Sequence, residues 1–275
     1  MPFQNPRSLK YEYELYVERE IEDYKDSIPR SALLKIGDEA VGVLAGQAQV
    51  ALTEILICQE VDRIISRRLR LPAYQTWRRR RLRDLERLCR PEHWGLDPNA
   101  VLVRAVPQVP DRHVLVAGGA GEAQTLYLAA NGCAVTAVDP TAGAMERVMA
   151  AAVQAGLQNR VRGYCSELAE WRPDVELHAV VCSASALAAL SPEVRERVIS
   201  VLQSATADGG VHLVETLAVG AGSATVGSEV GSDGVPTVVM PLEELESRYR
   251  GWQVTLERTR ENGTRTFLAR KEAVA

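Results

Sequence analysis

Apolar positions in the first third of the chain recur at helical spacing. Tyr13, Val17, Ile21, Tyr24 and Ile28 form one stripe with Glu and Arg between them. That spacing predicts an amphipathic helix closed by Pro29. Ser31 reads as the N-cap of the next segment. The segment is apolar-periodic from Ala32 to Leu69, with Gly37, Gly42 and Gly46 inside it. Two solutions stay open there: two helices, or one helix packed closely at its glycines. Pro72 ends it, and a third helix follows with Tyr74, Trp77, Leu85 and Leu88 on one stripe. Pro91, Gly95, Pro98, Pro107 and Pro110 then break any helix, so residues 91–112 read as a connection. The expected division is an α-helical domain over residues 1–95 and a second domain over residues 96–275.

From Arg112 the pattern alternates. His113–Ala117 is a short apolar run ending in glycines, Glu122–Asn131 a helix, and Ala134–Val138 a second strand ending at Asp139. Thr141–Ala155 is a helix and Arg160–Cys165 a strand. Leu177–Cys182 is apolar throughout, as a strand buried on both faces should be. Ser191 caps a helix to Ala205 with Pro192 at its first position, and Val211–Leu217 is a fifth strand. This order predicts a doubly wound α/β sheet. The end departs from it. Trp252–Glu257 and Thr264–Ala269 flank Arg260-Glu261-Asn262-Gly263, and Asn-Gly is a strong hairpin signal, so the last two strands should be antiparallel.

Composition narrows this little: of 275 residues, 46% are hydrophobic and 25% charged, the ordinary globular balance. A net charge of -4 argues against a protein that coats nucleic acid by bulk charge. The average hides an asymmetry. Residues 1–62 carry 6 basic and 12 acidic side chains, whereas residues 63–90 carry 11 arginines against Asp84 and Glu86. The basic belt either grips an anionic partner or pairs with the acidic first helix, rich in Glu12, Glu14, Glu18, Glu20 and Glu22. Pairing within or between subunits is preferred, leaving nucleic acid as a possible but unfavoured partner and a homodimer through the N-terminal helices as another. Cys58, Cys89, Cys133, Cys165 and Cys182 are widely spaced, which predicts no zinc site, no disulfide framework and a reducing cytoplasm. No apolar window predicts a membrane span.

Two features carry candidate chemistry. The loop Ala117-Gly118-Gly119-Ala120-Gly121 precedes a helix N-terminus, where glycines let the backbone approach a ligand. Such glycines equally serve a tight turn. The dinucleotide fingerprint fails here, because its third glycine position, counted from Gly119, is Gln124. Asp139 ends the second strand, where a carboxylate accepts both hydrogen bonds of a ribose diol. It also suits the cap of the following helix.

Residues 113–217 resemble a class I S-adenosylmethionine-dependent methyltransferase. Val114 to Gly121 resembles the first motif of that family, and Ala134 to Pro140 the second. Ser166-Glu167-Leu168 stands where the family flanks the adenine, Val180 to Ser185 where its fourth strand lines the methyl donor, and Asp208-Gly209-Gly210 at its Pro-Gly-Gly turn. The resemblance implies a Rossmann-like seven-stranded methyltransferase sheet with an antiparallel C-terminal hairpin. It implies S-adenosyl-L-methionine as cofactor, with Gly118, Gly119, Gly121, Asp139, Pro140, Glu167, Leu168 and Ser183 around it. The family's acidic residue of the first strand is Leu115 here and its first glycine is Ala117. Another group must therefore hold the donor's amine.

The expected activity is methyl transfer to a small-molecule or natural-product-like substrate, in which proximity and orientation dominate. His212 and Glu215, on the fifth strand, are the candidate catalytic residues, against a plain reading as a strand histidine and a surface glutamate. The fourth-strand sequence has no Asn-Pro-Pro-Tyr-like grip for a nucleobase amine. Residues 218–236 could form a substrate loop. Two alternatives stand. One is an aminocarboxypropyl transferase similar to nicotianamine synthase. The other is a degenerate module binding RNA or protein through the Arg-rich helix.

Overall fold

The computed structural model describes residues 8–45, 54–106, 112–118, 121–217, 229–230, 236–237, 242–258 and 264–272. The chain divides into two compact units, over residues 5–84 and 85–275 apart from the extreme N-terminus.

The first unit is helical: α1 (Leu9–Ser27), α2 (Arg30–Ala45), α3 (Glu54–Arg68) and most of α4 (Tyr74–Leu88). Ser8 caps α1 by accepting from the Tyr11 N–H. Ile21, Ile36, Ala40, Ile64 and Ile65 form the apolar centre, with Val17, Tyr24 and Ile28 of the expected stripe packed against it. The segment 32–69 takes the two-helix solution. A Cβ on Gly37 or Gly42 would meet nothing within 4 Å, so these glycines mark no close packing. Ser31 does not cap α2. The helix starts one residue earlier, where the Pro29 carbonyl accepts from the N–H groups of Ala32 and Leu33. The Tyr13 ring lies tilted 5.4 Å from Tyr74 and 5.5 Å from Trp77, and its hydroxyl donates to the Pro72 carbonyl. Within the basic belt, Arg81 pairs with Glu12 at 3.2 Å, whereas Arg78, Arg79, Arg80 and Arg83 are exposed.

In the second unit, the stretch read as a connection is partly packed structure. It holds a 3-10 turn, Pro91–Trp94, and α5 (Val101–Ala105). Val101, Leu102, Ala105 and Val106 are buried in the main core, and Trp94 lies against it. The apolar run at 101–106 is the signal, and the flanking prolines mask it.

The sheet strands are β1 (His113–Ala117), β2 (Ala134–Asp139), β3 (Val161–Cys165), β4 (Leu177–Cys182) and β5 (Thr206–Leu217), followed by β8 (Trp252–Arg258) and β9 (Thr264–Lys271). A separate two-residue ladder joins β6 (Glu229–Val230) to β7 (Pro236–Thr237). The seven strands run in the order β3-β2-β1-β4-β5-β9-β8. The first five are parallel, and β9 is antiparallel to both β5 and β8. The implied C-terminal hairpin is thus present; its Asn262-Gly263 turn lies outside the described residues, as does most of the 218–236 loop.

Helices α6 (Glu122–Ala130) and α7 (Ala142–Gln154) belong to one face, over Val114, Val116, Val135, Ala137, Val181 and Leu213. The other face carries Leu115, Ala117, Val180, Cys182, Val214 and Phe267. It packs with α9 (Pro192–Ser204) and α10 (Leu242–Arg248), while α8 (Ala184–Ala188) follows β4. Ser191 caps α9 as expected, accepting from the Val194 N–H, with Pro192 in the first turn. Strand β5 begins earlier than Val211 because Asp208-Gly209-Gly210 forms a bulge. Leu177 faces Thr206, yet Ala179 faces Val211. Gly209 has φ +74°, and a Cβ on Gly210 would sit 2.7 Å from the Ala207 carbonyl oxygen. Among the described residues, no helix is long and apolar enough to cross a membrane.

Candidate functional site

Strand register places four residues in one row. Ala117 lies opposite Val138 on β2 and Cys182 on β4, and Cys182 lies opposite Val214 on β5. One residue further along each chain stand Asp139, Gly118, Ser183 and Glu215. This row runs along the carboxyl edge of the parallel strands, across the β1–β4 junction where the strand order reverses. Open α/β sheets bind ligands at that place.

Gly118 has φ +103°, and a Cβ there would lie 1.9 Å from Ser183 Oγ. Glycine is needed because the start of the β4–α8 turn packs directly on it. The Gly118 N–H donates to the Val138 carbonyl, and the Ser183 N–H to the Ala117 carbonyl. Ser183 Oγ also accepts from the Ala186 N–H at 3.3 Å. Gly121 occupies the N-cap position of α6, its N–H donating to the Gly118 carbonyl. Gly119 lies outside the described residues.

Asp139 is 7% exposed, and its Oδ1 accepts from the Thr141 N–H at 2.8 Å. Asp139 does not cap α7, whose N-cap is Thr141; its bond braces the turn that leads into the helix. Oδ2 has no protein partner among the described residues. The Asp139 carbonyl accepts from the Ser166 N–H at 3.1 Å, which draws the loop after β3 to this edge. Pro140 and Glu167 are exposed beside it, while Leu168 is buried in the layer of Ala117 and Val138. Beneath the edge, Val116, Gly121, Thr125, Ala137, Asp139 and Met145 help line a cavity of about 10 Å³. It has room for about one water molecule. Thr125 Oγ1 is buried there with no partner among the described residues.

Glu215 is half-buried. Its Oε1 accepts from Gln124 Nε2 at 2.9 Å, a bond that reaches from β5 across β4 to the first turn of α6. Burial raises the carboxyl pKa, and the Gln124 bond opposes that rise. Gln124 figured in the sequence only as a break in the dinucleotide fingerprint. Its pairing with a residue 91 positions away has no local signal.

The structure does not bring His212 to this edge. His212 pairs with Val180 on the opposite face of the sheet and is 1% exposed. Thr206 Oγ1 gives its one proton to the Leu202 carbonyl at 2.6 Å, so it accepts from His212 Nε2 at 2.7 Å. The Tyr249 hydroxyl then donates to Nδ1 at 2.8 Å. Trp252 closes the ring in at 4.8 Å. Burial, with a smaller push from Lys271, lowers the imidazole pKa to about 3. Both nitrogens are occupied and the ring is neutral, so the catalytic expectation for His212 is corrected: it is a satisfied core histidine. Leu115 is 0% exposed in the same apolar layer, opposite Val180; burial in that layer pushes the Cys182 thiol pKa up to about 12. No carboxylate could ionise at position 115 without loss of this packing.

No known family's sequence profile matches the chain, and no curated protein matches it either. Solved structures do. TehB from Haemophilus influenzae is 18% identical over 66% of this chain and 67% of its own, with a TM-score of 0.51. A methyltransferase from Methanosarcina mazei described as dependent on S-adenosylmethionine is 17% identical over 65% of this chain and 100% of its own, with a TM-score of 0.50. Over about that share of its length, the chain has the fold of the class I S-adenosylmethionine-dependent methyltransferases.

Proposed function

We propose that this chain is an S-adenosylmethionine-dependent methyltransferase acting on a small-molecule or natural-product-like substrate. The observation that carries the reading is the row Asp139, Gly118, Ser183 and Glu215 along the carboxyl edge of a sheet in this strand order. Its donor set fits a nucleoside with a charged tail. Asp139, a buried residue, offers a carboxylate oxygen with no protein partner among the described residues, suited to a ribose diol. Pro140, Glu167 and Leu168 stand by the Asp139 end of the row, where the base would lie, and Gly118 puts no side chain in its middle.

When bound, the donor supplies an activated sulfonium methyl. The protein's share is to hold donor and nucleophile in line and to keep water out. His212 takes no part in proton transfer, since both ring nitrogens are bonded inside the core. Thermal melting of the purified protein with S-adenosylmethionine and with S-adenosylhomocysteine tests the reading. A rise in melting temperature with either supports it; a folded sample indifferent to both overturns it. Product analysis separates the alternative chemistry: S-adenosylhomocysteine marks methyl transfer, methylthioadenosine marks aminocarboxypropyl transfer.

A further inference from the structure

Resting on that reading, we infer that Glu215, aimed by Gln124, binds the α-ammonium of the donor's amino-acid end. It would supply the carboxylate that the first strand lacks at Leu115.

Three observations converge on it. The first is position. Glu215 ends the row that Asp139 begins, three strand spacings or about 14 Å away backbone to backbone. A nucleoside anchored by its ribose at Asp139 therefore carries its tail along this row, past Gly118 and Ser183. The second is direction. The Gln124 bond draws the carboxyl group from β5 back over β4, toward the helix that follows β1. It thus faces the middle of the edge instead of the hairpin side. The third is incomplete satisfaction. Among the described residues, Gln124 is the sole hydrogen-bonding partner of this half-buried carboxyl group, and no cationic side chain pairs with it. The neutral amide satisfies one oxygen, and nothing among the described residues neutralises a charge on the group. An ammonium group brought by a ligand supplies what is missing, a charge-assisted hydrogen bond to the carboxylate. At position 115 the side chain is wholly enclosed by apolar neighbours, so the chain has no equivalent group on β1.

The test compares two nucleosides by calorimetry on the full chain. S-adenosylhomocysteine carries the amine, whereas methylthioadenosine shares the adenosine and thioether but has no amino-acid tail. Glu215→Gln keeps the shape and removes the charge. The variant should bind S-adenosylhomocysteine about tenfold or more weakly and methylthioadenosine as the wild type does. Equal weakening of both nucleosides, or of neither, overturns the assignment while leaving the proposed function standing. Wild-type protein that binds neither nucleoside overturns both. Should the Gln variant fold poorly, Glu215→Asp draws the charge back by one methylene, and the same selective loss for the amine-bearing nucleoside is required.

Discussion

Alanine at position 118 would put a methyl group 1.9 Å from Ser183 Oγ on a backbone with φ +103°. Gly118→Ala should cost about 1–3 kcal/mol in denaturant unfolding, because strain and collision act together. Ser183→Gly in the same chain should restore part of it by removing the collision. His212 yields a second expectation at this scale. Its folded pKa lies near 3 against an unfolded 6.5. Below pH 6.5 the unfolded chain takes up a proton that the folded chain refuses, so stability is full above that pH and declines as pH falls toward 3. Melting temperatures measured from pH 7.5 to 4.5 should show this fall, and His212→Asn should flatten it. At this scale the sequence was only partly readable. Asp139 and Gly118 stand out by their places after strands. His212 and Glu215 are three residues apart on one strand, and strand alternation puts them on opposite faces. The partners that decide their roles, Tyr249 and Gln124, come from distant segments.

Between elements, Arg195 is the main polar tie outside the site. It is 6% exposed, pairs with both carboxylate oxygens of Glu244 at 2.8 Å, and donates to the Leu187 and Leu190 carbonyls. It thus joins α9 to α10 and to the end of α8. Arg195→Ala strips the Glu244 carboxylate of its cation and leaves the Leu190 carbonyl without its donor, while the Leu187 carbonyl keeps the Leu190 N–H; it should cost about 3–5 kcal/mol in equilibrium unfolding. No periodicity announces α8 or α10, which are 5 and 7 residues long. Both lie below the length at which a helical repeat becomes visible. The long elements were legible because each has its own punctuation: Ser191-Pro192 before α9, the glycines after β1, and Asp139 after β2. The Asp208-Gly209-Gly210 turn was legible as a turn. Its bulge was not, since it depends on how β5 registers against β4.

At the scale of the whole molecule, the helical pattern and the alternating pattern mark two kinds of structure, and the compact units run over residues 5–84 and from residue 85 on. The row of candidate site residues lies wholly within the second. A chain beginning near residue 85 should therefore retain nucleoside binding, measurable by the same calorimetry as the full chain. The near-neutral total charge conceals an exposed arginine group on α4, with Arg81 already paired to Glu12. The central claim is that the edge holding Asp139, Gly118, Ser183 and Glu215 binds an adenosyl sulfonium donor. Its most direct test is titration of the full chain with S-adenosylhomocysteine beside NAD. Saturable one-to-one binding of S-adenosylhomocysteine, lost in Asp139→Ala and absent for NAD, is the predicted result. Binding of NAD in its place, or S-adenosylhomocysteine binding that survives Asp139→Ala unchanged, would contradict the account.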